Sequence, residues 1–329
     1  MPIAAPVAPP PLTWVIGAGG LLGSALVRQL RISGRPCHHS PVPLPWQRPA
    51  ELPGEMGQAV DRFREALGTG QPWRIVWAAG TGVMGSREED LEAERIGFLA
   101  LSEAIAAQQD LGRRRGCLGL ASSAGALYAD SPLPIDEQAP LAPRNPYGLW
   151  KLAQEGLVRE LVAGGHVSRG FLARISSLYG AGQATGKTQG LISHLARQLL
   201  RRRPVRIYVP LDTMRDYIAV DDAARMLLAG CESLGADQSG EGQDCLARII
   251  ASERSVTISE LVGLFRRLLR RAPQVITTLS GPVPSYGRCV RYRSGVLPQL
   301  RALASTPLPL GVTALLAQER LRLARGGEP

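Results

Sequence analysis

Two rhythms alternate along the 329 residues of this chain. Short, nearly continuous apolar runs at 12–16 (LTWVI), 74–78 (RIVWA), 117–122 (CLGLAS) and 170–176 (GFLARIS) read as buried strands. Between them lie stretches with a helical period: 24–32, closed by Gly34; about 56–67; about 88–108, opened by acidic residues from Glu88; and the segment after Pro146. Strands and helices alternating at this pace predict a doubly wound α/β fold, a parallel sheet covered by helices on both faces. Residues 41–54 are proline-rich and irregular, and 233–244 read as an exposed loop. Residues 255–271 and 307–325 are helical and polar enough to form a smaller C-terminal lobe.

The first strand runs directly into Gly17-Ala18-Gly19-Gly20-Leu21-Leu22-Gly23 and then into a helix. A G-x-x-G-x-x-G turn in that position lets the backbone approach a pyrophosphate held at the helix N-terminus. Gly17, Gly20, Leu21, Leu22 and Gly23, with Ala78-Ala79-Gly80 where the run from Arg74 ends in a glycine turn, are therefore the expected dinucleotide contacts. The second strand ends near Cys37-His38-His39-Ser40 with no carboxylate to grip an adenine ribose. That leaves room for the 2′-phosphate of NADP, with Ser40, His39 or Arg35 in reach, so NAD and NADP both stay open.

Composition sharpens the search for chemistry. Of 38 basic residues only two, Lys151 and Lys187, are lysine. Where charge alone suffices this chain uses arginine, so a retained lysine points to work that a planar, always-charged guanidinium does not do. Lys151 follows Tyr147 by four residues, one helical turn. A free phenol titrates near ~10, and a neighbouring ammonium is expected to pull that value down and make Tyr147 a usable acid–base. Lys151 can also hold the nicotinamide ribose. Ser122 and Ser123 end the 117–122 strand region at the edge where open α/β sheets carry their chemistry, and one of them is expected to polarise the reacting oxygen.

The net charge of +10 invites a nucleic-acid reading, but aromatic residues are only 5% and offer little to stack bases on. Arg113 to Arg115, Arg201 to Arg203 and Arg266 to Arg271 read instead as solvated helix ends, and an anionic small substrate is the expected partner. Five cysteines without paired spacing predict neither disulfides nor a zinc site, and fit the cytoplasm. The proline-broken N-terminus is a poor signal peptide, and no apolar run reaches the ~18 residues that a membrane helix needs.

On Gly17/Gly20/Gly23, Ala78-Ala79-Gly80, Ser122-Ser123 with Tyr128, Tyr147 with Lys151, Arg174 with Tyr179-Gly180, and Arg215-Asp216-Tyr217 with Val220-Asp221-Asp222, the chain resembles the extended short-chain dehydrogenase/reductase family, the NAD-dependent epimerase/dehydratases of nucleotide sugars. The resemblance runs from about 12 to about 320. It implies reversible hydride transfer at a sugar carbon, with NAD or NADP, by a homodimer without a catalytic metal. Tyr147, Lys151 and Ser123 would be catalytic, and Ser177, Lys187 and Arg215 would contact substrate, Arg215 at its diphosphate. A 4-epimerase is the leading expectation; a ketone or ketosugar reductase and a non-catalytic cofactor sensor are the alternatives. The implied division is a leader (1–11), a dinucleotide domain (12–182, to which 211–250 returns) and a substrate lobe (183–210 and 251–329). The chain also departs from the pattern. The usual serine position holds Ala124, the asparagine before Tyr-Gly is Ser177, and the helix-heading asparagine is Glu94. Gly125 and Ala126 replace the acidic couple of the dehydratases, which argues against dehydration.

Overall fold

A computed structural model of the protein describes residues 9–129, 131–182, 190–236, 244–277 and 289–326. The first half consists of β1 (Leu12–Ile16), α1 (Leu21–Ile32), β2 (Cys37–His38), α2 (Leu52–Glu65), β3 (Trp73–Trp77), α3 (Glu92–Ala107), α4 (Gln109–Arg113) and β4 (Gly116–Ser123). Next come α5 (Ala124–Leu127), α6 (Pro146–Ala163), β5 (Arg169–Ile175), β6 (Ser177–Tyr179), α7 (Leu191–Leu200), β7 (Val205–Ile207) and β8 (Met214–Ala219). The chain continues through α8 (Val220–Ala236), β9 (Cys245–Ile250), β10 (Ser255–Thr257), α9 (Ile258–Leu269), β11 (Val275–Thr277) and α10 (Leu308–Ala324).

Six strands form one sheet in the order β2-β1-β3-β4-β5-β9, parallel throughout. Its central strands are apolar on both faces because helices cover both. One face packs Trp73, Trp77 and Leu118 against Phe63 of α2, Phe98 of α3 and Val158 of α6. The other packs Val15, Val76 and Phe171 against Leu26 of α1 and Leu227 of α8. Each fully buried phenylalanine contributes about 1.5–3 kcal/mol. Arg74, also buried in β3, pairs with Glu232 at 3.3 Å.

β1 has β2 on one side and β3 on the other, so successive connections leave it in opposite directions. The carboxyl ends of β1 and β3 consequently diverge into a crevice, the position where open α/β sheets bind ligands. A second sheet, β10-β8-β6, lies beyond β5, and β7 pairs with β11. The helices α7, α9 and α10 pack around a separate core of Leu195, Phe265 and Leu315.

Two boundaries differ from the sequence reading. Helix α1 begins at Leu21, three residues ahead of the first polar–apolar repeat, because the glycine turn itself supplies the cap. The expected loop at 233–244 starts as helix: Leu234 is buried in the core and the Ser233 hydroxyl bonds the Ala229 carbonyl, so α8 runs on to Ala236. Residues 237–243 and the first eight of the expected leader lie outside the described residues. Among the described residues no helix is long and apolar enough to cross a membrane.

Candidate active site

A single cleft of about 1250 Å³ follows the carboxyl ends of β1, β3, β4 and β5 and continues to α7, β7 and β8. At its closed end lies the glycine turn. Gly17 has φ +90°, and a Cβ there would stand 2.5 Å from the Ala79 backbone nitrogen. Gly23 is tighter still, with a Cβ falling 2.0 Å from the Gly17 carbonyl oxygen. Helix and strands therefore meet only because both positions lack a side chain. Gly20 caps α1 without a side-chain hydrogen bond, so the first-turn N–H groups stay available to an anion. Gly17, Gly20, Leu21, Leu22, Ala78, Ala79 and Gly80 all line the cleft, while Gly23 lies behind it in the turn's packing. This cradle fits the pyrophosphate of a dinucleotide.

The residues proposed for a 2′-phosphate are otherwise engaged. Arg35 pairs with Glu232, and the Ser40 hydroxyl donates to the Val42 carbonyl at 2.8 Å. Neither they nor His39 line the cleft; Trp46 and Gln47, from the irregular proline-rich segment, do. Nothing in the pattern of that segment distinguishes those two positions.

Helix α6 is set by Asn145, whose side chain accepts the Gly148 N–H at 2.8 Å, and by Pro146 in its first turn. It thereby lays Tyr147 and Lys151 along the end of β4. The Lys151 ammonium lies 5.5 Å from the Tyr147 ring centre. Ser123 ends β4, caps α5 by accepting the Ala126 N–H at 3.3 Å, and places its hydroxyl near enough to the Tyr147 phenol to favour its ionisation. The adjacent Ser122 is turned away and donates to Glu155 at 2.7 Å. Glu155 also grips Arg174 through both carboxylate oxygens at 2.9 and 2.7 Å, and Arg174 reaches the Tyr128 hydroxyl. Ser123 is thus the serine that meets the tyrosine.

The expected depression of the Tyr147 phenol does not occur. Burial pushes it up, Lys151 pulls it down, Glu94 pushes it up and the Ser123 hydroxyl pulls it down; the result lies above the ordinary value. Spacing alone reveals neither the burial, which is the larger cause, nor Glu94, which binds the Lys151 ammonium at 2.9 Å inside the protein. Gln154 takes a second ammonium proton at 2.9 Å. Two of the three donors of Lys151 are therefore committed to protein.

At the far end, β8 presents Arg215 and Tyr217 to the cleft, joined by His194 and Gln198 of α7, Arg206 and Tyr208. Ser177 is exposed on β6 and also lines it. Buried Asp216 steadies β8 by accepting from Ser176 at 2.7 Å, from the Ser252 hydroxyl and N–H at 2.8 and 3.0 Å, and from the Arg254 N–H at 3.1 Å. Lys187 lies outside the described residues. Arg206 and Tyr208 escaped the sequence reading because the three-residue β7 carries no periodic signal, and His194 and Gln198 because nothing local marks their positions on α7 as facing a cleft.

Fold and site together define a dinucleotide-binding Rossmann-type protein whose Tyr-x-x-x-Lys pair faces the nucleotide turn. The model of the NAD dependent epimerase/dehydratase family matches residues 13–242, and the chain belongs to that family. It is 30% identical over 142 residues to a dTDP-4-dehydro-6-deoxyglucose reductase of Escherichia coli, 43% of this chain and 42% of that one. It is 38% identical over 117 residues to a UDP-glucose 4-epimerase of Azospirillum brasilense, 31% and 33% of the two chains. These similarities span less than half the length of either relative. Across nearly the whole fold it is similar to MoeE5 in complex with UDP-glucose and NAD, with a TM-score of 0.73 at 22% identity, covering 95% of this chain and 99% of that one.

Proposed function

We propose that the protein is a nicotinamide-dinucleotide-dependent epimerase acting at C4 of a nucleotide-linked sugar. The observation that carries this reading is the continuity of the cleft. It connects an anion-binding glycine turn, through Ser123, Tyr147 and Lys151, to a second basic end with Arg206 and Arg215. Such a cleft suits two phosphorylated ligands meeting at one tyrosine. A nicotinamide dinucleotide held by the glycine turn and Lys151 would supply a reversible hydride acceptor. In its ionised form Tyr147 accepts the proton of the sugar hydroxyl as the hydride leaves, with Ser123 bonded to the same oxygen, and gives it back after the keto sugar has turned its other face. Lys151 orients the ribose and the tyrosine, and Arg215 binds the diphosphate. Ser177 and Lys187 are assigned to the substrate side, and the glycine turn with Ala78–Gly80 to the cofactor. The same reading carries a homodimer in the cytosol, on family resemblance.

Incubation of the purified protein with UDP-, dTDP- and GDP-sugars, followed by sugar analysis and cofactor absorbance, tests it. The expected outcome is interconversion of C4 epimers without net change in cofactor. Tyr147→Phe should lower turnover ~10²–10⁴-fold with cofactor binding nearly intact. Net cofactor oxidation would assign a ketosugar reductase, and cofactor binding without turnover on any sugar a sensor.

A further inference from the structure

Glu94 lines the cleft beside Gly80, between the glycine turn and Lys151, and the proposed hydride transfer gives it no role. It sits in the first turn of α3, 5% exposed, facing Lys151, which is 4% exposed. One carboxylate oxygen takes the ammonium at 2.9 Å. The other is buried without a hydrogen-bond partner among the described residues and rests against Gly80, where a Cβ would fall 2.3 Å from it. A carboxylate this poorly solvated has the Lys151 ammonium and the N-terminal turn of α3 as its compensating positive charge.

We propose that Glu94 is a positioning residue that governs Tyr147 through Lys151: it cancels the ammonium charge that would ionise the phenol, so Tyr147 enters catalysis protonated and hydride abstraction from the substrate opens only as pH rises. The claim deepens the epimerase reading and rests on it for its catalytic consequence.

The charge count around the phenol is short. Lys151 and Glu94 are the charged groups acting on Tyr147, and Glu94 and Tyr147 those acting on Lys151. From β4 comes the neutral Ser123 hydroxyl, and from the end of β3 the neutral Ala79 and Gly80. Further along α6, Glu155 is bound by Ser122, Arg174 and Arg159. On α3, Glu92 pairs with Arg95. From the turn before α3, Asp90 accepts the Arg87 N–H, and Asp61 of α2 accepts from Gln108 at the other end of α3. With one cation and one anion acting on the phenol among the described residues, phenolate formation adds an uncompensated charge. With Glu94 neutralised, the phenolate would instead have the ammonium to itself.

The test reads the tyrosine directly. The phenolate ultraviolet band of the full-length protein is titrated against pH, and the same titration of Tyr147→Phe is subtracted. In the wild type the difference should titrate above the ordinary ~10. In Glu94→Gln it should move down by about 1–3 pH units, the effect of removing a like charge beside an ionising group. Glu94→Asn supplies the same neutralisation in a smaller side chain should the first variant fail to fold. A wild-type midpoint below the ordinary value, or an unmoved or raised midpoint in a neutral variant, would overturn the proposal and leave the pair as a fold contact. In turnover, the acid limb of the hydride-abstracting direction should follow the spectroscopic shift. A moved phenolate titration with no sugar turned over would defeat the epimerase reading alone and leave the role of Glu94 standing.

Discussion

At the scale of single residues, the site divides into what spacing announces and what contact decides. Tyr147 and Lys151 are legible because four residues are one helical turn. Lys151 is also the one whose replacement is most informative. Its ammonium meets Glu94 and Gln154 at 2.9 Å each, in a buried space shaped to a compact cation. A guanidinium is planar and wider, so Lys151→Arg should lower kcat by at least about tenfold even though charge is kept; steady-state kinetics check this. The two serines, adjacent in sequence and indistinguishable there, are separated by strand alternation. Ser123→Ala should lower kcat with little change in KM, the pattern of an interaction made mainly in the transition state. Ser122→Ala should instead lower thermal stability, since it removes a buried donor to Glu155. Glu94 was visible only as a departure from the family pattern. Its partner lies 57 positions away, a pairing that no local pattern encodes.

At the scale of elements, the strand-turn-helix at 12–32 was readable because glycine spacing, a buried strand and an amphipathic helix follow one another without interruption. The intolerance of the turn is sharper than the motif conveys. A methyl group at Gly23 would sit 2.0 Å from the Gly17 carbonyl oxygen, which is backbone and cannot step aside. Gly23→Ala should therefore move α1 off the turn, costing about 1–3 kcal/mol of stability and weakening dinucleotide binding at least about tenfold. Thermal denaturation and cofactor fluorescence titration measure the two effects. By contrast β6, β7, β10 and β11 are three residues each, too short for a period to register, and they exist through pairing with distant strands. The substrate end was accordingly the less legible half of the site.

At the scale of the molecule, Glu155 is the tie. From α6 it holds Ser122 of β4 and Arg174 of β5, and Arg174 passes the connection on to Tyr128 behind α5. Burial works to raise this carboxyl, but the bonds and charge of Arg174, the Ser122 hydroxyl and Arg159 overcome it and hold it below its ordinary value. Removing one partner strands a buried guanidinium, so Glu155→Ala should cost about 3–5 kcal/mol in urea denaturation at neutral pH. The sign of the pH dependence follows from the lowered value. Stability from the ionised carboxylate is complete above its unfolded value of ~4.3 and is lost as pH falls through the folded one. The gap between wild type and variant should therefore narrow on acidification below about pH 4. A gap that stays constant would assign the loss to packing.

The sequence by itself determined the class of fold, the nucleotide turn and the tyrosine–lysine pair, because each is written in local order: apolar periods, glycine spacing, one turn of helix. The tertiary structure alone decided which serine meets the tyrosine, which residues line the substrate end, and the electrostatic setting of the phenol. Those depend on groups brought together across the sheet. Burial and the charge of Glu94, neither of them a property of the segment around Tyr147, reverse the direction in which its lysine was expected to move it.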